Sequence, residues 1–158
     1  MYTMTLFAEK YQIIPVAKAI ARFQELYPEA ILTKFQLEYE GPFLKYDLEG
    51  MDASTKYTID LNAQTGETLK SSDRPLKEKE VARRDSYALN INNLLPLEEI
   101  TQTALDAVPV DHPIQWELDR KRERTYWKVE VVNQQGGELY EAKVDAQEGT
   151  LLEMKLKH

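Results

Sequence analysis

A chain of 158 residues that is 42% hydrophobic and 30% charged has the composition of an ordinary globular protein. Its formal net charge of −7 argues against nucleic acid and anionic lipid surfaces as partners, because both are held mainly by Lys and Arg. The absence of cysteine excludes disulfides, thiolate metal sites and cysteine nucleophiles, and no apolar run approaches the ~18–20 residues that a membrane-spanning helix needs.

Residues 1–12 read as an N-terminal extension. The opening Met1-Tyr2-Thr3-Met4-Thr5-Leu6-Phe7-Ala8-Glu9-Lys10 lacks the basic segment and apolar core of a signal peptide. The expectation is either a cytoplasmic protein or the mature form of an exported one.

A helix is predicted from Pro15 to Tyr27. Val16, Ile20, Phe23 and Tyr27 recur at helical spacing and define one apolar face. Pro15 suits a first helical turn, and Pro28 sets the stop because the residue before a proline avoids the α region. Three strands follow, over Lys34–Tyr39, Leu44–Glu49 and Tyr57–Leu61, the first two alternating polar and apolar residues. Gly41-Pro42 turns the first into the second. Asn62-Ala63-Gln64-Thr65-Gly66 closes the third, with Gly at the point where a positive φ is cheap. Thr68-Leu69 opens a short fourth strand.

Residues 71–93 are polar and carry Glu78, Lys79, Glu80 and Arg83 with acid and base at helical spacing. This stretch reads as a partly helical, exposed connector. A second helix is predicted from Pro96 to Val108, with Leu97, Ile100, Ala104 and Val108 as its stripe. Glu98 and Glu99 sit in its first turn, where the helix dipole favours them. Strands then recur. Ile114, Trp116 and Leu118 lie on the first, Trp127, Val129 and Val131 on the second, Tyr140, Ala142 and Val144 on the third, and Leu151 to Leu156 form the last.

The chain therefore states one pattern twice. Pro15 and Pro28 match Pro96 and Pro109, each 81 residues on, and the same offset pairs Phe35 with Trp116, Leu37 with Leu118 and Tyr46 with Trp127. Asn62 to Gly66 matches Asp145 to Gly149 at an offset of 83, so the second copy has about two extra residues in a turn. A period this long marks a small domain and not a solenoid unit. One apolar and one charged face per strand set imply antiparallel sheets with one side covered by a helix. The expected architecture is α+β: two tandem repeats over 13–70 and 94–158, each a helix packed on a three- to four-stranded antiparallel sheet, joined by 71–93.

A helix, three alternating strands, a tyrosine opening the third (Tyr57, Tyr140) and an Asp-Ala-Xaa-Thr-Gly-like turn into a final apolar strand resemble the PepSY domain. The resemblance covers most of the chain. Asn62 stands where the family usually has Asp, and Glu148 where it usually has Thr. The resemblance implies a non-catalytic role: PepSY domains occur in inhibitory propeptides of metallopeptidases, in membrane proteins and as exported stand-alone proteins. It implies a protein partner, with a peptidase as the family-related target, and an extracellular or cell-surface location. A structural or adaptor role in the bacterial envelope is the rival reading. No catalytic, metal or cofactor residues carry over.

The residues themselves offer little chemistry. The two histidines are His112, in an Asp-His-Pro loop, and the terminal His158; neither forms part of a His-Glu-Xaa-Xaa-His zinc motif. Asp60-Xaa-Asn62-Xaa-Gln64 is similar to the start of a calcium loop, but Thr65 stands where the loop requires Gly and Ser71 where it requires Glu, so a hairpin turn explains it better. A hydrolase built on paired carboxylates would need a pocket to raise one pKa, and nothing marks one. The basic cluster Arg120, Lys121, Arg122 and Arg124 reads as a solvated hairpin turn, with an anion or partner contact as the alternative. Matched aromatics read as core. Tyr39 and Phe43 flank the Gly41-Pro42 turn and have Arg120 and Arg124 as counterparts, which makes them the candidate partner contact. Monomer and homodimer are both open, since exposed sheet edges permit pairing.

Overall fold

The computed structural model describes residues 12–107, 112–133 and 137–157. The chain divides into two compact units, one spanning Ile13–Asn90 and the other holding Ile91–His158.

In the first unit, α1 (Val16–Leu26) is followed by β1 (Ile31–Glu40), β2 (Phe43–Met51), β3 (Thr55–Asn62) and β4 (Thr68–Pro75). The four strands form an antiparallel meander in the order β1-β2-β3-β4. Pro15 is the residue just before the helix, φ −59° and ψ 147°, and its carbonyl accepts from the amides of Lys18 and Ala19. The helix therefore begins one residue later than the sequence suggests, with Pro15 as its capping residue and not in its first turn. Ala19, Ile20 and Phe23 are buried, and they face the strand positions that alternation turns inward: Phe35, Leu37, Tyr46, Leu48, Ile59 and Leu61, all at most 1% exposed.

β4 runs eight residues, so positions 71–75, which read as connector, continue the sheet. The reason is visible in its burial: every residue but Arg74 is exposed, and a strand with no buried face carries no hydrophobic alternation to read. A short helix, α2 (Glu78–Arg83), and a 3₁₀ turn (Arg84–Tyr87) follow. Arg74 clamps Glu80 with two parallel bonds, Nη1 to Oε1 at 2.8 Å and Nη2 to Oε2 at 2.9 Å, while the Lys77 amide donates to the same carboxylate at 2.8 Å. This fixes α2 to the end of β4.

The second unit repeats the plan with α3 (Leu97–Ala107), β5 (His112–Lys121), β6 (Arg124–Asn133), β7 (Glu138–Asp145) and β8 (Leu151–Lys157), again an antiparallel meander. Leu97, Ile100, Thr101 and Ala104 are the buried stripe of α3; Val108 lies outside the described residues. Trp116, Leu118, Trp127, Val129, Val131, Ala142 and Val144 form the sheet side of the core.

The final turns coincide atom for atom. The Asn62 Oδ1 accepts from the amides of Gln64 (2.9 Å) and Thr65 (3.2 Å), and the Asp145 Oδ1 accepts from those of Gln147 (2.9 Å) and Glu148 (2.7 Å). The turn needs one side-chain oxygen at that place, which Asn supplies as well as Asp. Gly66 and Gly149 follow at φ +80° and +77°. The preceding chain docks alike in both units, by Ile14 N–H to the Ala63 carbonyl (2.7 Å) and Leu95 N–H to the Ala146 carbonyl (3.0 Å).

Candidate functional site

Tyr39 and Phe43 close the β1–β2 hairpin. The register pairs Tyr39 with Leu44 and Glu40 with Phe43, leaving Gly41 and Pro42 as the two-residue loop, with Gly41 at φ +61°. Directly paired residues share a face and successive ones alternate. Tyr39 thus continues the row Leu37 and Phe35 on the helix side, yet beyond the helix's cover, and is 46% exposed. Phe43 belongs to the opposite face, with Lys45, Asp47 and Glu49, and is half-buried. The structure brings the two to one tip but turns them to different sides of it.

The β5–β6 tip has the same backbone and different side chains. Lys121 pairs with Arg124 around Arg122-Glu123, and Arg122 takes φ +58° where the first unit has Gly41. Arg120 donates from Nε to the Arg122 carbonyl at 2.7 Å, and Arg124 reaches the Asp145 carboxylate at 3.6 Å. The basic cluster is this hairpin turn.

The polar faces are ordered by charge. On the first unit Asp47 and Asp60 stand directly opposite each other. Lys34 meets Asp47 at 2.9 Å and Glu49 at 3.5 Å; Lys45 meets Glu40 at 3.0 Å and Asp60 at 3.5 Å; Lys56 meets Glu49 at 3.0 Å. Burial, and then the hydrogen-bonded Asp47, hold the Asp60 carboxyl above the usual range. On the second unit two lysines, Lys128 and Lys143, occupy the opposed positions. Glu117 (3.1 Å) and Asp119 (3.3 Å) pair with Lys128, and Glu153 (3.1 Å) with Lys143. Burial alone would lower Lys128, but the Glu117 hydrogen bond and the acidic neighbours outweigh it and raise it. The pattern suits a solvated, internally paired sheet face. Sequence reasoning treated these charges as a uniform face and missed the inversion between repeats, although the repeat offsets align the four residues.

The remaining motifs resolve simply. Asn62 spends its side-chain oxygen on its own turn and Asp60 pairs with Lys45, so the calcium-like spacing is hairpin chemistry. His112 begins β5 opposite Val132; His158 lies outside the described residues. Among the described residues no group of three or more His, Asp or Glu side chains is placed to hold a metal ion, and no helix is long and apolar enough to cross a membrane.

Two segments, residues 13–71 and 94–155, match the family model of the PepSY domain, described as "Peptidase propeptide and YPEB domain". The two matches take in most of the chain, and the protein belongs to the PepSY family. The fold is found in a solved structure from Clostridium difficile 630 described as a "putative lipoprotein": TM-score 0.84, 24% identity, 93% of this chain and 95% of that one covered. The YpmB protein from Bacillus subtilis aligns over 90% of this chain and 97% of its own with 15% identity, but its TM-score of 0.41 is too low to support an argument. No curated protein matches the sequence.

Proposed function

We propose that the chain is a non-enzymatic binding and regulatory protein that modulates or inhibits a peptidase at the cell surface, and that it presents the β1–β2 hairpin tip to this partner. The observation that carries the reading is the double PepSY match, whose family description joins the domain to peptidase propeptides. The tip is the second support. Tyr39 is one of the largest exposed apolar side chains, and Phe43 lies just across the turn on the other face. A tip with an aromatic ring on each side suits insertion into a partner's cleft better than docking of one flat sheet face, and aromatic anchors supply much of the energy of such contacts. The central charges of both polar faces are engaged by opposite charges of their own sheets, an arrangement that serves the sheet and not an activated nucleophile.

The description of the similarly folded Clostridium difficile protein as a lipoprotein supports an extracellular or cell-surface location. It also favours the second reading, an envelope adaptor with no peptidase target. The two separate in one experiment. Tagged protein is incubated with peptidases secreted by its own organism, and their turnover is followed against protein concentration. Dose-dependent inhibition that the Tyr39→Ala/Phe43→Ala variant loses supports the regulator. Undiminished turnover at saturating protein, with retention on envelope material, leaves the adaptor reading.

A further inference from the structure

We infer that β8 is a self-pairing edge, through which two copies of this chain associate as an antiparallel, two-fold symmetric dimer with Met154 on the axis. The inference is independent of the peptidase reading.

β8 hydrogen-bonds β7 on one side and, among the described residues, no strand on the other. An edge of this kind is a template for another strand unless it is guarded. The edge of the first unit is guarded: β4 carries Lys70, Asp73, Arg74 and Pro75 within eight residues, and proline cannot donate to a ladder. β8 lacks the proline, and its three charged residues, Glu153, Lys155 and Lys157, guard it only against a strand whose charges do not match them. It runs Leu151-Leu152-Glu153-Met154-Lys155-Leu156-Lys157 without Pro or Gly, and Leu151 and Leu156 are 39% and 46% exposed.

From Leu152 to Leu156 its pattern of apolar and charged residues is symmetric about Met154, with the two flanking charges opposite in sign. In an antiparallel pair centred there, Leu152 faces Leu156 of the second copy, Glu153 faces Lys155, and Met154 faces Met154. Each relation occurs twice except the last. Facing opposite charges and apolar pairs stabilise such a ladder, and like charges directly across destabilise it. The neighbouring registers fail. Centring on Glu153 or Lys155 sets that residue against its own copy, and a one-residue slip turns the leucines against charges. One register satisfies the five positions from Leu152 to Leu156, and it completes the edge with its own chemistry, not a borrowed partner. Glu153 and Lys155 already lean on Lys143 (3.1 Å) and Glu141 (3.4 Å) within the chain, so pairing extends a charge ladder that begins on β7.

Analytical ultracentrifugation of three proteins decides it: the wild type, Glu153→Lys and Lys155→Glu, with thermal unfolding to confirm that each is folded. The wild type is expected to show a concentration-dependent dimer. Each single reversal places like charges across the axis twice and should weaken dimerisation about tenfold or more. Mixing the two reversed proteins should restore association, because the two lysines flanking the axis in one copy then face the two glutamates flanking it in the other. A wild type that stays monomeric up to about 1 mM overturns the inference. So does a dimer that survives both reversals, or a mixture no tighter than its components.

Discussion

The two repeats share one backbone and fill it with opposite choices. Where α1 crosses β2, Phe23 lies over Gly50; the matched positions of the second repeat hold Ala104 and Val131, and the Phe23, Ala104 and Val131 side chains are all fully buried. Bulk has moved from helix to sheet. Ile20 and Phe35 of the first repeat correspond to Thr101 and Trp116 of the second, where the indole donates to the Thr101 hydroxyl at 2.9 Å. There an apolar pair has become a hydrogen-bonded one. At the centre of the polar face two aspartates have become two lysines. What is held constant is the sum across a contact, either its volume, its hydrogen bonding or its net pairing, and the single residue is free to change. That is why aligning the repeats residue by residue shows a weak likeness while the fold repeats closely.

The strongest test of that rule lies at Gly50. A Cβ there would collide with the Phe23 ring and sit 2.5 Å from the Ile31 carbonyl oxygen, closer than atoms can approach. Gly50→Ala should cost about 3 kcal/mol, at the upper end for overpacking. Because the ring is half of the clash, Gly50→Ala/Phe23→Ala should cost less than the two single changes added together. The backbone carbonyl remains in the way, so the recovery is partial. Urea unfolding of the four proteins measures the coupling; strictly additive costs would show that the helix does not depend on the glycine for its approach.

The Thr101–Trp116 pair should answer to a milder change. Thr101→Val keeps the shape and removes the hydroxyl that accepts from the buried indole N–H, at a cost of about 1–3 kcal/mol. Thr101→Ile with Trp116→Phe imports the first repeat's apolar pair and removes both polar groups. It should come nearer to wild-type stability than the sum of its parts. A double variant as poor as that sum would mean the second core does not accept the first core's solution.

Much of this architecture is legible in the sequence. The two main helices, the strands of each repeat and the closing turns follow from apolar periodicity and from Gly66 and Gly149, whose positive φ the turn demands. The full length of β4 escapes such reading because periodicity reports burial, and β4 has almost none. The volume exchange at Phe23 and Gly50 is out of reach for another reason. A strand glycine signals close approach or a bulge without saying which, and only the sheet register reveals the ring above it. Of the candidate site, the sequence locates Tyr39 and Phe43 at the turn, but not their division between faces. That division depends on the loop having two residues, which alternation alone does not set.

The smallest effects expected are electrostatic, and they oppose each other in sign. Glu80 is held at about 2, first by the Arg74 hydrogen bonds and then by the Lys77 amide, against an ordinary value of 4.5. A folded-state value below the unfolded one contributes stability that is present above pH 4.5 and is lost as pH falls toward 2. Glu80→Gln should therefore lower the melting temperature at neutral pH and flatten its fall across that acid window. Asp60 is shifted the other way, raised above its ordinary 3.8 by burial and by Asp47. Its favourable contribution is present below 3.8 and disappears as pH rises through the raised value, so at neutral pH the ionised group is a burden. Asp60→Asn should then stabilise slightly at about pH 7, with the gain vanishing in acid. Melting curves of both variants from about pH 2 to 7 test the pair. If Asp60→Asn instead weakens the protein at neutral pH, the 3.5 Å contact with Lys45 outweighs the repulsion from Asp47, and the first repeat's polar face is organised around its lysines, not divided by its acids.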